Sequence, residues 1–337
     1  MNMPGHFIIS LDYELHWGVF DQKSLDSYRS NLDQVDNVVK RLVALSNTYN
    51  VKLTFATVGF LFAEDKKDLL KYVPENTPTY DKPQFNPYPI IESIGDNPKQ
   101  DPYHYALPTL KAIHKEGIHE ISSHTFCHYY CHENGQTPDQ FKSDLQAAVA
   151  IAKSKNMELK SIVFPRNMIE PHESNYLDIC YEQGLKSYRG KEKSFIYNIH
   201  TTKFYHGWFI FKILRILDAY FNITGANMYD LKSNYSPGKA LNLPSSRLLR
   251  PFNKTLKAFE FLKLNRIKKG MTKAAKSGKM FHLWWHPHNF GSDIEENFKN
   301  LESIFRTYVK LHEDYGFKSQ TMSGITEELE SSSKSNN

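Results

Sequence analysis

The chain opens on an apolar run, Phe7-Ile8-Ile9-Ser10-Leu11, that ends in two acids, Asp12 and Glu14. Such a run reads as a buried strand, and the alternation of a strand sends both carboxylates to the same side. A polar loop is expected over 21–30, followed by a helix whose apolar face is Leu32, Val35, Val38, Val39, Leu42 and Leu45. A second strand follows at 51–59 and a short helix at 66–72, before an irregular excursion over about 74–104 that is rich in Pro, Asn, Tyr and Asp. An excursion of that length in a compact domain is usually functional. Helices at about 105–116, 137–156 and 172–183 then alternate with strands at 119–123, 160–165 and 184–188. The segment from about 190 to 270 is an irregular insertion. It holds a very apolar helix from Gly207 to Leu217, an extended stretch marked by Pro244 and Pro251, and a basic amphipathic helix over 259–269. A strand at 280–285, a helix at 293–313, a strand at 317–321 and a short last helix close the fold, and the Ser-, Lys- and Asn-rich residues 330–337 are expected to be disordered.

Strands alternating with amphipathic helices predict a parallel sheet, either a barrel or a doubly wound sheet, with a site at the C-terminal ends of the strands. Asp12, Glu14, His124 and Arg166 all fall at that edge. Two carboxylates on one side of a strand end are costly in a core; at a mouth, one can bind a cation while the other handles a proton. The stretch His119-Glu120-Ile121-Ser122-Ser123-His124-Thr125-Phe126-Cys127-His128 supplies the other half of such a site. Its strand leads into histidines four residues apart, and on a helix that spacing would put both imidazoles on one face, near enough to share a metal ion. Taken alone, a pair so spaced is more often surface or core. Cys127 and Cys131, beside His128 and His132, offer a competing soft-metal set, though Cys127 reads better as a small packed side chain.

The 337 residues suffice for a sizeable core, and 40% hydrophobic with 23% charged residues is ordinary for a globular protein. A net charge of +5 is too small at this length to argue for nucleic-acid binding. Three cysteines form an odd set, against a disulfide framework and for a reducing compartment. With no basic and apolar leader ahead of the first strand, a cytoplasmic protein is expected. Residues 207–221 read first as a barrel helix packed on its neighbours. Their alternative is a peripheral contact with the inner membrane face, useful for a substrate carried on a lipid.

These motifs together resemble the polysaccharide deacetylase family, the NodB-like carbohydrate esterases, over about residues 6–188 and 280–325. Ser10-Leu11-Asp12-Tyr13-Glu14 is similar to the family's first motif, in the branch that spaces its acids one residue apart. Leu53-Thr54-Phe55-Ala56-Thr57-Val58-Gly59 looks like the second strand, and the stretch from His119 to His128 like the metal motif, the most specific match. Val163-Phe164-Pro165-Arg166-Asn167-Met168 resembles the arginine motif with Pro and Arg transposed, and Leu283-Trp284-Trp285-His286-Pro287 the terminal histidine motif. No Asp-x-x-Asp-Trp segment follows Tyr188.

The resemblance implies an irregular, incomplete (β/α) barrel of the NodB or glycoside hydrolase-deacetylase type, with residues 1–329 as a single catalytic domain. It implies a divalent metal, zinc in the first place, on Glu14, His124 and His128. Asp12 is the expected base because it aligns with the family's first acid, although the residues alone leave open which acid is base and which is ligand. Arg166 is expected to hold Asp12, His286 to protonate the leaving amine, and a backbone N–H near Asn167 or Met168 to meet the oxyanion. His16, Trp17, Trp285, His288 and Asn289 are expected near the substrate. The implied activity is removal of an N-acetyl group from an amino sugar in a glycan or in a nucleotide- or lipid-linked precursor. The rivals are an amidase on a non-sugar C–N bond and a degenerate glycan- or lipid-binding protein.

Overall fold

Among the described residues nine short strands make one all-parallel sheet, with the first strand in its interior. The structure, a computed structural model, describes residues 4–170, 172–194, 196–197 and 208–334. The strands are β1 (His6–Tyr13), β2 (Thr54–Thr57), β3 (Glu120–Ser123), β4 (Ser161–Ile162), β5 (Ser187–Tyr188), β6 (Leu241–Asn242), β7 (Arg247–Leu248), β8 (Met280–Trp285) and β9 (Lys318–Ser319). Their order is β6-β5-β4-β3-β2-β1-β8-β7, with β9 beside the start of β1.

The two edge strands are close in sequence yet stand at opposite ends of that order. The segment between them bridges the gap: Leu243 and Ser245 donate to the carbonyls of Tyr188 and Gly190, and Ser246 to that of His282. Strand pairing therefore leaves the barrel incomplete, as the resemblance implies.

Period-2 alternation divides β1 cleanly. Phe7, Ile9 and Leu11 point outward into the larger core beneath the helices, where Val35, Val38, Val39 and Leu42 from helix Val35–Thr48 meet them. Ile8 points inward and joins Ala56, Val163 and Met280, which the C-terminal helix Met322–Lys334 covers with Met322, Ile325 and Leu329. That helix plugs the lower barrel. Above this layer the interior turns polar, through Ser10, His282, Ser122 and Ser161, up to the strand ends.

Several expectations need correction. The polar loop at 21–30 is largely a helix, Leu25–Leu32, with Ser24 capping the N–H of Ser27; most of its side chains are solvent-facing, so it carries little apolar signal. The last helix runs past residue 330, where a disordered tail was expected, because its apolar stripe packs inside the barrel. The basic helix is longer than expected, Glu260–Lys276. Gly207 and residues 335–337 lie outside the described residues.

Candidate active site

Asp12 sits at the inward-facing end of β1. Glu14, one inward position further, lies at the entry to a short 3-10 turn, Leu15–Gly18. A side chain at Gly18 would fall inside the Glu14 carboxyl group, so glycine is what lets that carboxylate lie across the turn.

His124 and His128 meet Glu14 by a route other than the expected helix. The chain from 124 to 130 is a loop in which Thr125 and His128 adopt left-handed backbone, φ 63° and 61°. Such conformations need support from their surroundings. Asp144, from helix Pro138–Ser154, accepts the N–H groups of Phe126 (2.8 Å) and Cys127 (3.0 Å). The turn Gly59–Phe62 donates two backbone N–H groups to the carbonyls of Thr125 and Phe126. A Cβ on Gly59 would stand 2.7 Å from the Phe126 Cα, so this close approach also requires glycine.

The outcome is a buried three-residue cluster. Nε2 of His124 and of His128 lie 3.2 and 3.3 Å from Glu14 Oε2, and all three residues are at most 3% exposed. The His124 Nδ1–H donates to the Val163 carbonyl at 2.8 Å, which leaves the Nε2 lone pair facing Glu14. Among the described residues that nitrogen has no hydrogen-bond partner. Nδ1 of His128 is 3.1 Å from the Tyr130 hydroxyl. Burial would raise the Glu14 carboxyl, but His286, His124 and His128 around it bring it well below the ordinary carboxylate value. Burial lowers His128 despite Glu14.

This donor set fits a divalent ion. Two ligands each about 2.0–2.1 Å from a tetrahedral centre stand about 3.3 Å apart, the spacing that Glu14 keeps with both imidazoles. All three ligand atoms lie within 4.8 Å of one another. Among the described residues no other group of His, Cys, Asp and Glu does so, and Cys127 and Cys131 are free and buried outside it.

Asp12 has a different neighbour. The Arg189 guanidinium grips it with two charge-assisted bonds, 2.6 and 2.7 Å, and also donates to Ser10 Oγ (3.0 Å) and Asn167 Oδ1 (2.8 Å). Trp284 lies beneath it, with the guanidinium carbon 4.3 Å from the ring centroid. Burial pushes Asp12 up, and Arg189, then His286, more than reverse this, so the carboxyl stays below its ordinary 3.8. Behind the pair, His282 accepts from Ser10 at 2.8 Å and donates to the Leu243 carbonyl; burial pushes it down to about 3 and keeps it neutral.

His286, at the end of β8, stands between the two acids, with Nε2 3.6 Å from Asp12 and 3.5 Å from Glu14. The Asn289 amide lies 3.4 Å from its Nδ1, which leaves Nε2 facing the acids. His288 stacks behind it at 5.0 Å, and burial pushes that residue down to about 3.

Three placements differ from expectation. Arg166 does not reach Asp12: it pairs with Asp21 and Glu133 and lies over Tyr130, tying two rim loops together. The N–H groups of Asn167 and Met168 close a tight turn onto the carbonyls of Phe164 and Pro165, so neither is free for an oxyanion. The expected aromatic wall is also displaced. Trp17 is buried, its indole donating to the His104 carbonyl, with His16 bonded to His104 beside it. Trp285 is buried against Phe290, and His288 is 4% exposed. Half-buried Trp284 takes the place at the site, while Asn289 is half-buried beside His286. Arg189 and Asp144 were missed. The former's signal is an arginine immediately after a strand; the latter has none in a helical pattern.

Neither the family models nor the curated proteins compared with the sequence contain a match. Solved structures do. A Mycobacterium smegmatis protein named as a polysaccharide deacetylase aligns over 99% of this chain and 92% of its own, with a TM-score of 0.60 and 13% identity. The chain has the polysaccharide deacetylase fold. A Pseudomonas aeruginosa protein so named gives a TM-score of 0.52 at 12% identity, over 95% and 88% of the chains. The PuuE allantoinase gives 0.53 at 12%, over 95% and 87%. On this polysaccharide deacetylase fold, the cluster and the Asp12–Arg189 pair both occupy the C-terminal mouth of the sheet.

Proposed function

We propose that the protein is a metal-dependent hydrolase, a single catalytic domain that removes the N-acetyl group from an amino sugar in a glycan or in a nucleotide- or lipid-linked precursor. One observation carries the reading: a His-His-carboxylate cluster, a second carboxylate held ionised by arginine, and a histidine between the two acids share one mouth. Glu14, His124 and His128 would hold the ion, and Nε2 of each histidine is the nitrogen turned toward it. A divalent ion there, zinc in the first place, would polarise an acyl carbonyl and make a nearby water more acidic.

The remaining work falls to the chain itself. Asp12 takes a proton from the attacking water, and Arg189 keeps it ionised and oriented for that task at neutral pH. The proton that Asp12 takes from water passes to His286, whose Nε2 faces it at 3.6 Å, and His286, as the imidazolium, delivers it to the leaving nitrogen and returns to the neutral ring. Asn289 and His288 fix the ring. Trp284 offers its exposed part to a sugar face.

The test is metal analysis of the purified chain together with acetate release from a panel of N-acetylhexosamine derivatives. Activity lost to a strong chelator and regained with zinc is the expected result. Full turnover by protein shown to hold no metal would end the metal-dependent reading, and turnover confined to non-sugar amides would end the sugar assignment.

A further inference from the structure

Against the back of the Asp12–Arg189 pair lies a cavity of about 210 Å³. Trp284 and Asn167, which hold Arg189, line it, and Trp284 is also the aromatic at the catalytic mouth, so the cavity adjoins that mouth. The other lining is strongly basic: Arg166, Lys191, Arg215, Arg247 and Arg250.

Three of those charges are already matched. Arg166 has Asp21 and Glu133, Lys191 has Glu170 at 2.6 Å, and Arg247 has Asp218 at 2.6 Å. Arg215 and Arg250 are not. Arg215 donates to the Ile196 carbonyl at 2.8 Å and Arg250 to the Arg215 carbonyl at 3.4 Å, and among the described residues no carboxylate pairs with either. Both side chains are half-buried. Burial lowers the pKa of Arg250, and the like charge of Arg215 acts in the same direction. The carboxyl on the wall, Glu192, does not answer them; it faces the Trp284 indole, and burial raises it toward the neutral form. Two adjoining, half-buried guanidinium groups with no carboxylate paired to either are arranged for an anion, and a phosphate suits their paired donors.

We propose that this chamber is the anion subsite of the same catalytic centre: on the deacetylase reading, it receives the phosphate that esterifies the acylated sugar, with Arg215 and Arg250 as its ligands. A neutral polysaccharide would leave both charges unanswered. A sugar phosphate answers both.

A phosphate of this kind could be part of a nucleotide or of a lipid carrier. Helix Trp208–Tyr220, which brings Arg215 to the cavity, turns Ile210, Ile213, Ile216 and Leu217 to solvent, Ile210 at 59% exposure. A surface helix ordinarily does the reverse. No helix among the described residues is long and apolar enough to cross a membrane, so an outward apolar face beside a phosphate site favours a carrier lipid approached from the membrane surface.

Calorimetric titration of the full chain with N-acetylglucosamine 1-phosphate and with N-acetylglucosamine tests the subsite without turnover. The phosphate should bind at least about tenfold more tightly, and Arg215→Gln and Arg250→Gln should each remove most of that preference, while Arg250→Lys, which keeps the charge but not the paired donors, retains part of it. Equal affinity for the two sugars, or a preference intact in both glutamine variants, overturns the subsite. Absent acetate release with the phosphate preference intact would sink the deacetylase reading alone. For the source, UDP-N-acetylglucosamine is compared with a short-chain polyprenyl phosphate-linked N-acetylglucosamine in detergent micelles. Tighter binding of the lipid form supports the carrier lipid, and tighter binding of the nucleotide form overturns it.

Discussion

Replacing Arg189 with Met separates the arginine that the structure puts on Asp12 from the one that motif order would choose. The substitution keeps the side chain's length and apolar stem and removes two bonds of 2.6 and 2.7 Å from a carboxylate that is 3% exposed. Removing one partner of a buried pair costs about 3–5 kcal/mol, since the remaining charge is left uncompensated. The pH dependence fixes the sign. In the wild type the folded pKa of Asp12 lies below 3.8, so its contribution to stability is complete above 3.8 and lost as pH falls through the folded value. Without Arg189, burial dominates and the folded pKa rises above 3.8; the contribution is then complete below 3.8 and lost as pH rises through the new value. The deficit of Arg189→Met should therefore be largest near pH 7 and shrink toward pH 4.5, as read by urea denaturation across that range. Acetate release should fall by about 10²–10⁴, the usual worth of a general base, with the acidic limb of the pH–rate profile moved upward. Arg189→Lys should recover only part, because an ammonium cannot reproduce the paired contacts. Arg166→Met is the control for activity, since Arg166 does not touch Asp12; it strands Asp21, whose side chain is 1% exposed, so a stability loss of about 3–5 kcal/mol is expected here too. A deficit for Arg189→Met that is the same at both pH values refutes the reasoning, as does loss of activity in Arg166→Met with Arg189→Met spared.

The other expectations are narrower. Gly18→Ala should displace the Glu14 carboxylate with little change in unfolding midpoint and lower the zinc content measured on the purified chain; full zinc occupancy would contradict the role given to that glycine. Zinc added to metal-stripped protein at about a thousand times its Kd should stabilise it by about 4 kcal/mol, and His128→Ala should abolish the effect; an unchanged melting temperature in the wild type would remove the metal site. Asp144 is pushed up to about 6 by burial, against the N–H groups of Phe126 and Cys127, so its folded pKa is raised. Its contribution is complete below 3.8 and lost as pH rises through 6, a change of about 2 kcal/mol between pH 4 and 7. The stability difference between wild type and Asp144→Asn should drift by that order over the range, and a pH-independent difference would show that Asp144 is not buried as described.

Much of this arrangement was legible in the chain, and the exceptions have physical causes. β1 and β8 are the longest strands, eight and six residues, and both end in the chemistry that their apolar runs announce. The His124 and His128 spacing predicts that the two imidazoles meet, and they do, though not on a helix. Four residues can bring two imidazoles together on a helix or across two left-handed loop residues, and the choice here is made by Asp144 and Gly59, neither of which is local to the pair. The tryptophan error was avoidable. Trp284 shares the register of Ser10, and Trp285 that of Leu11, so an inward His286 already implies an inward Trp284 and a buried outward Trp285.

The arginine error was not avoidable from spacing, because Arg166 and Arg189 both follow strands of the same sheet. β4 ends at Ile162, leaving Pro165 to Asn167 to coil into a turn with Arg166 at φ 57°, which turns its side chain to the rim. Arg189 is still in register: its N–H donates to the Ile162 carbonyl as if β5 went on by one residue, and its side chain enters the barrel beside Ser10. The same logic separates the two acids. Asp12 and Glu14 face one way because β1 alternates, but one meets a guanidinium that cannot ligate a metal and the other two imidazoles that can. Their division of labour therefore comes from β5 and the 124–128 loop, and exchanging those neighbours, not the acids, is what would exchange the roles.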